Sequence, residues 1–189
     1  MSGSALVVID MQEFFFEENK DVDKKSLAAN CGKIIGTARE AGLPVIHVVT
    51  LYRDDKVDWP RAWAGDDESW CSNLVRGHEL SKVVSGVATA IDPEDFLVEK
   101  RRFSAFYNTN LDDILRSLGC EGIYLIGYSA DVCIRFTSVD AYNRGYAVTL
   151  ISEGIDSFRE SREASTKYLD WLIDARCISL EDFGQSLDG

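Results

Sequence analysis

Cys133 closes the stretch Ile123-Tyr124-Leu125-Ile126-Gly127-Tyr128-Ser129-Ala130-Asp131-Val132-Cys133, an apolar run ending in a glycine and followed by residues that open a helix. Read as strand, tight turn and helix start, it sets one thiol at the C-terminal end of a buried strand. A helix N-terminus carries unpaired backbone N–H groups and partial positive charge, and both favour a thiolate. Asp10 ends the first apolar run, Ala5-Leu6-Val7-Val8-Ile9, and Lys100 ends another, Phe96-Leu97-Val98-Glu99. In parallel α/β sheets, ligands gather beyond the carboxyl ends of the strands. An acid, a lysine and a cysteine at three such ends form a candidate nucleophilic site. Singly, each has a plain structural reading: a buried cysteine fills a core, an aspartate caps a turn, a lysine is solvated.

If the three meet, their roles follow from charge. Lys100 would favour the Cys133 thiolate, lowering a thiol pKa from about 8.5 into a range of about 3.5–7.5. Asp10 would take the thiol proton and later deliver it to a leaving nitrogen. The N–H groups of Ser129 and Cys133 would face the developing oxyanion, one such donor being worth about 2.7–4 kcal/mol. Water would then release the thioester. The chemistry is hydrolysis of an amide or ureido C–N bond.

The elements that must position these residues alternate between strand-like and helix-like from end to end, which predicts a parallel sheet with helices on both faces. Strands are expected at Ala5–Asp10, Val45–Val49, Phe96–Glu99, Ile123–Ile126 and Ala147–Ile151, with a short last one at Cys177–Leu180. A helix over Asp23–Ala41 carries Leu27, Cys31, Ile34, Ile35 and Ala38 on one stripe, stopped by Gly42 and Pro44. Thr109 offers an N-cap with Asp112 at the capping-box position. The helix opening near Cys133 runs to Arg144, and a final helix over Glu160–Ala175 is expected to bury Ala164, Tyr168, Trp171, Leu172 and Ala175. Thr50–Ala90 is irregular and holds Trp59, Trp63 and Trp70; loops this long in compact domains are usually functional. It reads either as a lid or pocket wall, or as a satellite cluster or subunit contact. No repeat or linker divides the 189 residues, so one domain spans 1–189.

Composition narrows the function. Hydrophobic residues at 46% and charged residues at 28% fit a folded chain with a substantial core. No apolar stretch approaches the roughly 20 residues that span a bilayer, and Met1-Ser2-Gly3-Ser4 does not read as a secretory signal. A cytoplasmic location is expected. Five scattered cysteines argue for free thiols, and with only two histidines and no C-x-x-C pair, no metal is expected. The net charge of −12 disfavours nucleic acid and anionic membranes as partners and leaves a small-molecule substrate. His47 and His78 both precede Ser129, so a Ser-His-Asp hydrolase, which needs its histidine later in the chain, is disfavoured. No Gly-rich phosphate loop follows the first strand, and no cofactor is expected. Glu17-Glu18 and Asp66-Asp67-Glu68 read as solvated faces.

Three ordered stretches resemble the isochorismatase-like cysteine hydrolases: Ala5 to Phe15 with Asp10-Met11-Gln12, Val98 to Phe106 with Lys100, and Gly127 to Arg135 with Cys133, followed by Asp140-Ala141. The resemblance covers nearly the whole chain. It implies a three-layer α/β/α domain with a six-stranded, mostly parallel sheet, assembly into dimers or tetramers, and an Asp-Lys-Cys triad at Asp10, Lys100 and Cys133. It also implies a cis peptide joining Tyr128 to Ser129. Two departures matter. Ala130 stands where the family commonly has threonine or serine. The Asp-x-His…His metal site of nicotinamidases is absent after the second strand, where Thr50-Leu51-Tyr52-Arg53-Asp54-Asp55 stands. The Lys100–Phe106 stretch is most similar to the ureidoacrylate and carbamoyl-type amidohydrolases. The alternatives are hydrolysis of another bond, such as an isochorismate-type vinyl ether, or a noncatalytic thiol-redox or binding role. Phe14, Trp63, Phe103 and Tyr128 read either as pocket walls or as core filler, and Arg61, Arg102 or Arg135 either as the reader of a substrate carboxylate or as a partner in surface or helix salt bridges.

Overall fold

Alternation along the first strand divides the core in two. In the computed structural model, which describes residues 3–18, 23–65 and 69–187, β1 (Gly3–Ile9) turns Ala5, Val7 and Ile9 to one face and Leu6 and Val8 to the other. Side chains of successive strand residues point to opposite faces, so a strand apolar at every position needs cover on both sides. On one side lie α4 (Leu111–Ser117), α5 (Cys133–Asn143) and α6 (Arg162–Ile173); on the other lie α2 (Lys24–Glu40), α3 (Ser85–Ala88) and α7 (Leu180–Leu187). A short α1 (Glu13–Glu17) follows β1.

The sheet joins β1 to β2 (Val45–Thr50), β3 (Phe96–Lys100), β4 (Cys120–Tyr128), β5 (Ala147–Asp156) and β6 (Arg176–Ile178) in the order β3-β2-β1-β4-β5-β6. Every recorded pairing is parallel, so the expected sheet is present and is parallel throughout. Strand order reverses between β1 and β4, which opens a crevice beyond their carboxyl ends. Gly127 closes that seam. Its φ is +116°, and a Cβ there would stand 2.0 Å from the carbonyl oxygen of Ile9, so only glycine lets the two backbones approach.

Several expectations need correction. The Asp23–Ala41 helix has Asp23 as N-cap, its side chain accepting from the Ser26 N–H, and buries the expected stripe. Thr109 is not the N-cap of α4; Asn110 is. The Thr109 hydroxyl accepts from the Leu111 N–H at 3.3 Å, and Asp112 binds the Tyr146 hydroxyl at 2.7 Å and Arg116 at 3.1 Å. β5 runs five residues past Ile151, through a register shift against β4 that the polar Ser152-Glu153 concealed. α6 buries Ser165, Leu169 and Ile173, while Tyr168, Trp171 and Leu172 of the expected stripe are exposed. The helix is apolar on two sides, and periodicity could not say which meets the sheet. α7 was not anticipated; Phe183 packs edge-on against Tyr124, ring centroids 4.9 Å apart. Between β2 and β3, α3 and two short 3₁₀ turns (Trp70–Leu74, Glu79–Ser81) replace part of the irregular loop. The Asp66-Asp67-Glu68 patch lies outside the described residues.

Candidate active site

Four neighbouring strands deliver side chains to one point. Asp10 follows β1 in the left-handed region (φ +51°). Thr50 ends β2, Lys100 ends β3, and Ser129 to Cys133 follow β4. Lys100 Nζ lies 2.7 Å from Asp10 Oδ2, 3.3 Å from Cys133 Sγ, 2.8 Å from Thr50 Oγ1 and 3.1 Å from the Arg102 carbonyl oxygen. The side chains of Asp10 and Lys100 are 0% and 1% exposed. An ammonium with so little water is held only by surrounding acceptors and negative charge. Thr50 Oγ1 donates to Asp10 Oδ1 at 2.9 Å.

Burial pushes the Cys133 thiol up; Lys100 pulls it down and Asp10 pushes it up again, and the net direction is upward. This corrects the sequence expectation of a depressed thiol pKa. The helix terminus and the lysine are legible in sequence, whereas the desolvation that outweighs them is not. Burial also disfavours the Lys100 ammonium, but the Asp10 carboxylate beside it and Cys133 more than offset this, and its pKa is raised.

The turn after β4 is held from outside. The peptide between Tyr128 and Ser129 is cis. The Ala130 N–H donates to the Asp156 carbonyl at 2.8 Å, and the Ser129 carbonyl accepts from the N–H groups of Val132 and Ile134. Among the described residues, the Ser129 and Cys133 N–H groups have no main-chain acceptor, and both residues line a cavity. Asp131 points away from it, accepting from the N–H groups of Phe158, Arg159 and Glu160 at 3.0, 2.6 and 3.3 Å.

The cavity measures about 310 Å³, and Phe14, Trp63, Phe103 and Tyr128 are all on its walls. Trp70, one of the three tryptophans of the 50–90 segment, is also on the walls, as are Tyr52 and Phe158, which the sequence did not single out. Trp59 lies outside it, packed against Tyr52 in a satellite cluster. Of the three arginines, Arg102 lines the cavity, while Arg61 and Arg135 do not. Arg135 pairs with Glu160 and covers the Tyr168 ring. A larger hollow of about 510 Å³, bordered by Arg53, Asp55 and Arg76, contains none of the three strand-end residues. Among the described residues, no three His, Cys, Asp or Glu side chains converge as a metal would require. His47 instead is buried against Asp95 at 3.1 Å, and burial holds its pKa low. His78 is exposed, its Nδ1 accepting from the Leu80 N–H.

Sequence reasoning missed Thr50 and Gln12. Gln12 is fully buried; its Nε2 donates to the carbonyls of Thr50 and Ser81 at 3.0 and 2.8 Å, and its Oε1 accepts from the Thr50 N–H at 2.7 Å. A buried glutamine three residues past a strand was the available signal.

Comparison with known proteins agrees with this architecture. The chain is 29% identical over 174 residues to the ureidoacrylate amidohydrolase RutB of Agrobacterium fabrum, covering 80% of this chain and 75% of that protein. It is 30% identical over 159 residues to an Arabidopsis thaliana protein bearing the name "Probable inactive nicotinamidase", covering 80% and 79%. Among solved structures, N-carbamoylsarcosine amidase from Thermoplasma acidophilum matches with a TM-score of 0.79 and 29% identity, over 95% of this chain and 97% of that one. The sequence model of the Isochorismatase domain matches residues 4–182, and the chain belongs to the isochorismatase family.

Proposed function

We propose that this protein is a cysteine amidohydrolase that cleaves a C–N bond of a small amide, ureido or carbamoyl compound and releases ammonia. The observation that carries the reading is the convergence of Asp10, Thr50, Lys100 and Cys133 at the mouth-facing end of four strands, with Lys100 Nζ within 3.3 Å of both the sulfur and the carboxylate. Similarity to a named ureidoacrylate amidohydrolase and to an N-carbamoylsarcosine amidase supports the amide side of the family.

Each step uses groups already in place. Substrate fills the cavity and displaces water; Asp10 accepts the Cys133 proton as the sulfur attacks the carbonyl carbon. The negative charge that develops on oxygen is met by the Ser129 and Cys133 N–H groups. Lys100 balances the Asp10 and sulfur charges throughout. The tetrahedral adduct collapses, Asp10 returns its proton to the departing nitrogen, and a thioester remains on Cys133. Water, deprotonated by Asp10, hydrolyses it, and the thiol regains its proton. The aromatic rings supply a dry, flat-sided enclosure that excludes competing solvent. The pocket-wall reading of the 50–90 segment is supported by Tyr52, Trp63 and Trp70, which line the cavity.

The deciding experiment is an ammonia-release screen over small amides and ureides, with Cys133→Ala as control and mass spectrometry of Cys133 under stalled turnover. An acyl adduct on Cys133, and ammonia lost in the variant, support the reading. Ammonia release retained by the variant removes it. Turnover without ammonia points to a vinyl-ether substrate, and no turnover at all to a binding or thiol-redox role. Self-association into dimers or tetramers belongs to the same proposal, supported by the exposed aromatics of α6, and light scattering tests it. Among the described residues, no helix is long and apolar enough to cross a membrane, and a cytoplasmic location remains part of the proposal.

A further inference from the structure

The hydrogen bonds around Lys100 can be counted. Its ammonium has three N–H bonds, and three acceptors meet hydrogen-bond geometry: Thr50 Oγ1 at 2.8 Å, the Arg102 carbonyl at 3.1 Å and Cys133 Sγ at 3.3 Å. Asp10 Oδ2 is nearer still, at 2.7 Å, yet it is outside hydrogen-bonding angles and has no hydrogen-bond partner among the described residues. Its contact with Lys100 is therefore ionic, with no N–H or hydroxyl well aligned on it. Asp10 Oδ1 is committed, because the Thr50 hydroxyl donates to it at 2.9 Å. A buried polar atom left without a partner is costly, and such atoms mark places where a group is awaited.

We infer that Thr50 is a positioning residue that reserves Asp10 Oδ2 as the oxygen that takes the Cys133 proton. The inference rests on the reading of Asp10 as the base. In the step itself the S–H bond breaks, an Oδ2–H bond forms, and the electron pair stays on sulfur. The Thr50 hydroxyl has one proton, and Lys100 fixes where it goes. With Nζ donating to Oγ1, the hydroxyl hydrogen is directed away from Lys100 and onto Oδ1. That bond occupies one oxygen of the carboxylate and leaves Oδ2 as the one available to take a proton. Thr50 can do this only because its backbone is immobile. Gln12 grips its N–H and its carbonyl at once, at 2.7 and 3.0 Å, and ties both to the Ser81 carbonyl. Asp10 is anchored independently, its N–H donating to the Val48 carbonyl at 2.9 Å. The hydroxyl is the piece of this assembly that a valine lacks while matching its shape.

The test uses iodoacetamide, which alkylates thiolate and needs no turnover, so its outcome is separate from whether the protein is an amidohydrolase. Carboxymethylation of Cys133 is followed by mass spectrometry against pH, and Cys133→Ala identifies signal from other thiols. Thr50→Val is expected to slow alkylation at neutral pH at least tenfold and to move its pH profile upward, with Thr50→Ser within threefold of the parent. Because Thr50 acts through Asp10, adding Thr50→Val to Asp10→Asn is expected to cost nothing further. Equal rates and profiles for Thr50→Val and the parent would overturn the inference. So would additive losses in the double variant, or a Thr50→Ser as slow as Thr50→Val. If Thr50→Val does not fold, Thr50→Ala carries the same comparison against Thr50→Ser.

Discussion

Lys100 donates to Cys133 Sγ across 3.3 Å, and still the thiol pKa is pushed upward, because burial of the thiol outweighs the cation beside it. The lysine is thus less a device for ionising the cysteine at rest than a counter-charge for whichever neighbour is negative at the moment. At rest that neighbour is Asp10, 2.7 Å away; in the proposed mechanism it is the sulfur during attack.

Removing the cation tests this balance. Lys100→Met leaves the Asp10 carboxylate buried without its partner, a change expected to cost about 3–5 kcal/mol. Urea unfolding of the variant should show it, and Asp10→Asn in the same chain should restore a large part. A Lys100→Met protein as stable as the parent would mean the carboxylate carries no charge in the fold.

Gly127 sets the width of the β1–β4 seam. Gly127→Ala forces a Cβ to within 2.0 Å of the Ile9 carbonyl oxygen and holds alanine at φ +116°. The strain and displacement are expected to cost about 3 kcal/mol or more. Thermal melting measures this, and an unchanged midpoint would show that the strands part freely.

Alkali should weaken the fold. Burial pushes Cys31 from 9.0 up to about 12, so the folded chain holds this proton more tightly than the unfolded one. That contribution is full below pH 9 and declines as pH rises through the folded value. At pH 10.5 the loss from this residue amounts to about 2 kcal/mol. Unfolding midpoints between pH 8 and 11 should fall, and Cys31→Ala should flatten the slope; an equally steep slope in the variant would refute the assignment.

Asp131 links the turn after β4 to the segment after β5. Its pKa is lowered: burial raises it, and the backbone N–H groups of Phe158, Arg159 and Glu160 more than offset that. Its contribution is present above the unfolded value and is lost as pH falls through the lowered folded one. Asp131→Ala is expected to cost about 2 kcal/mol at neutral pH and to expose residues 158–160 to rapid amide exchange. Unaltered exchange there would count against the link.

The two faces of α6 give a clean contrast. Trp171 is 76% exposed and Leu169 is fully buried. Leu169→Ala should cost about 2–5 kcal/mol, while Trp171→Ser should change monomer stability by no more than about 0.5 kcal/mol. Comparable losses in both would mean that another surface covers the tryptophan.

The same helix shows where the sequence stops being informative. The strand ends bearing Asp10, Lys100 and Cys133 were legible because apolar runs end abruptly at a charge or a glycine. The α2 stripe was legible because one face alone is apolar. α6 has two apolar faces, so periodicity located the helix but not its orientation. α7 carries a signal that its interior Gly184 masks: Ser179 and Asp182 cap its start reciprocally, and Phe183 packs on Tyr124 with Leu180 and Leu187 beside it. Thr50 and Gln12 escaped notice because their partners are 38 to 69 positions away. The raised pKa of Cys133 escaped for the same reason, since burial is a property of the assembled sheet.

Asp10, Thr50, Lys100 and Cys133 are held at the ends of four adjacent strands, one of them the edge strand β3, whereas Tyr52, Trp63 and Trp70 hang from the connection between β2 and β3. Swapping that connection would change the walls and would also remove the Ser81 carbonyl that holds Gln12 against Thr50. Under the proposed amidase reading, a change of walls and a change of reaction geometry would therefore travel together through one loop.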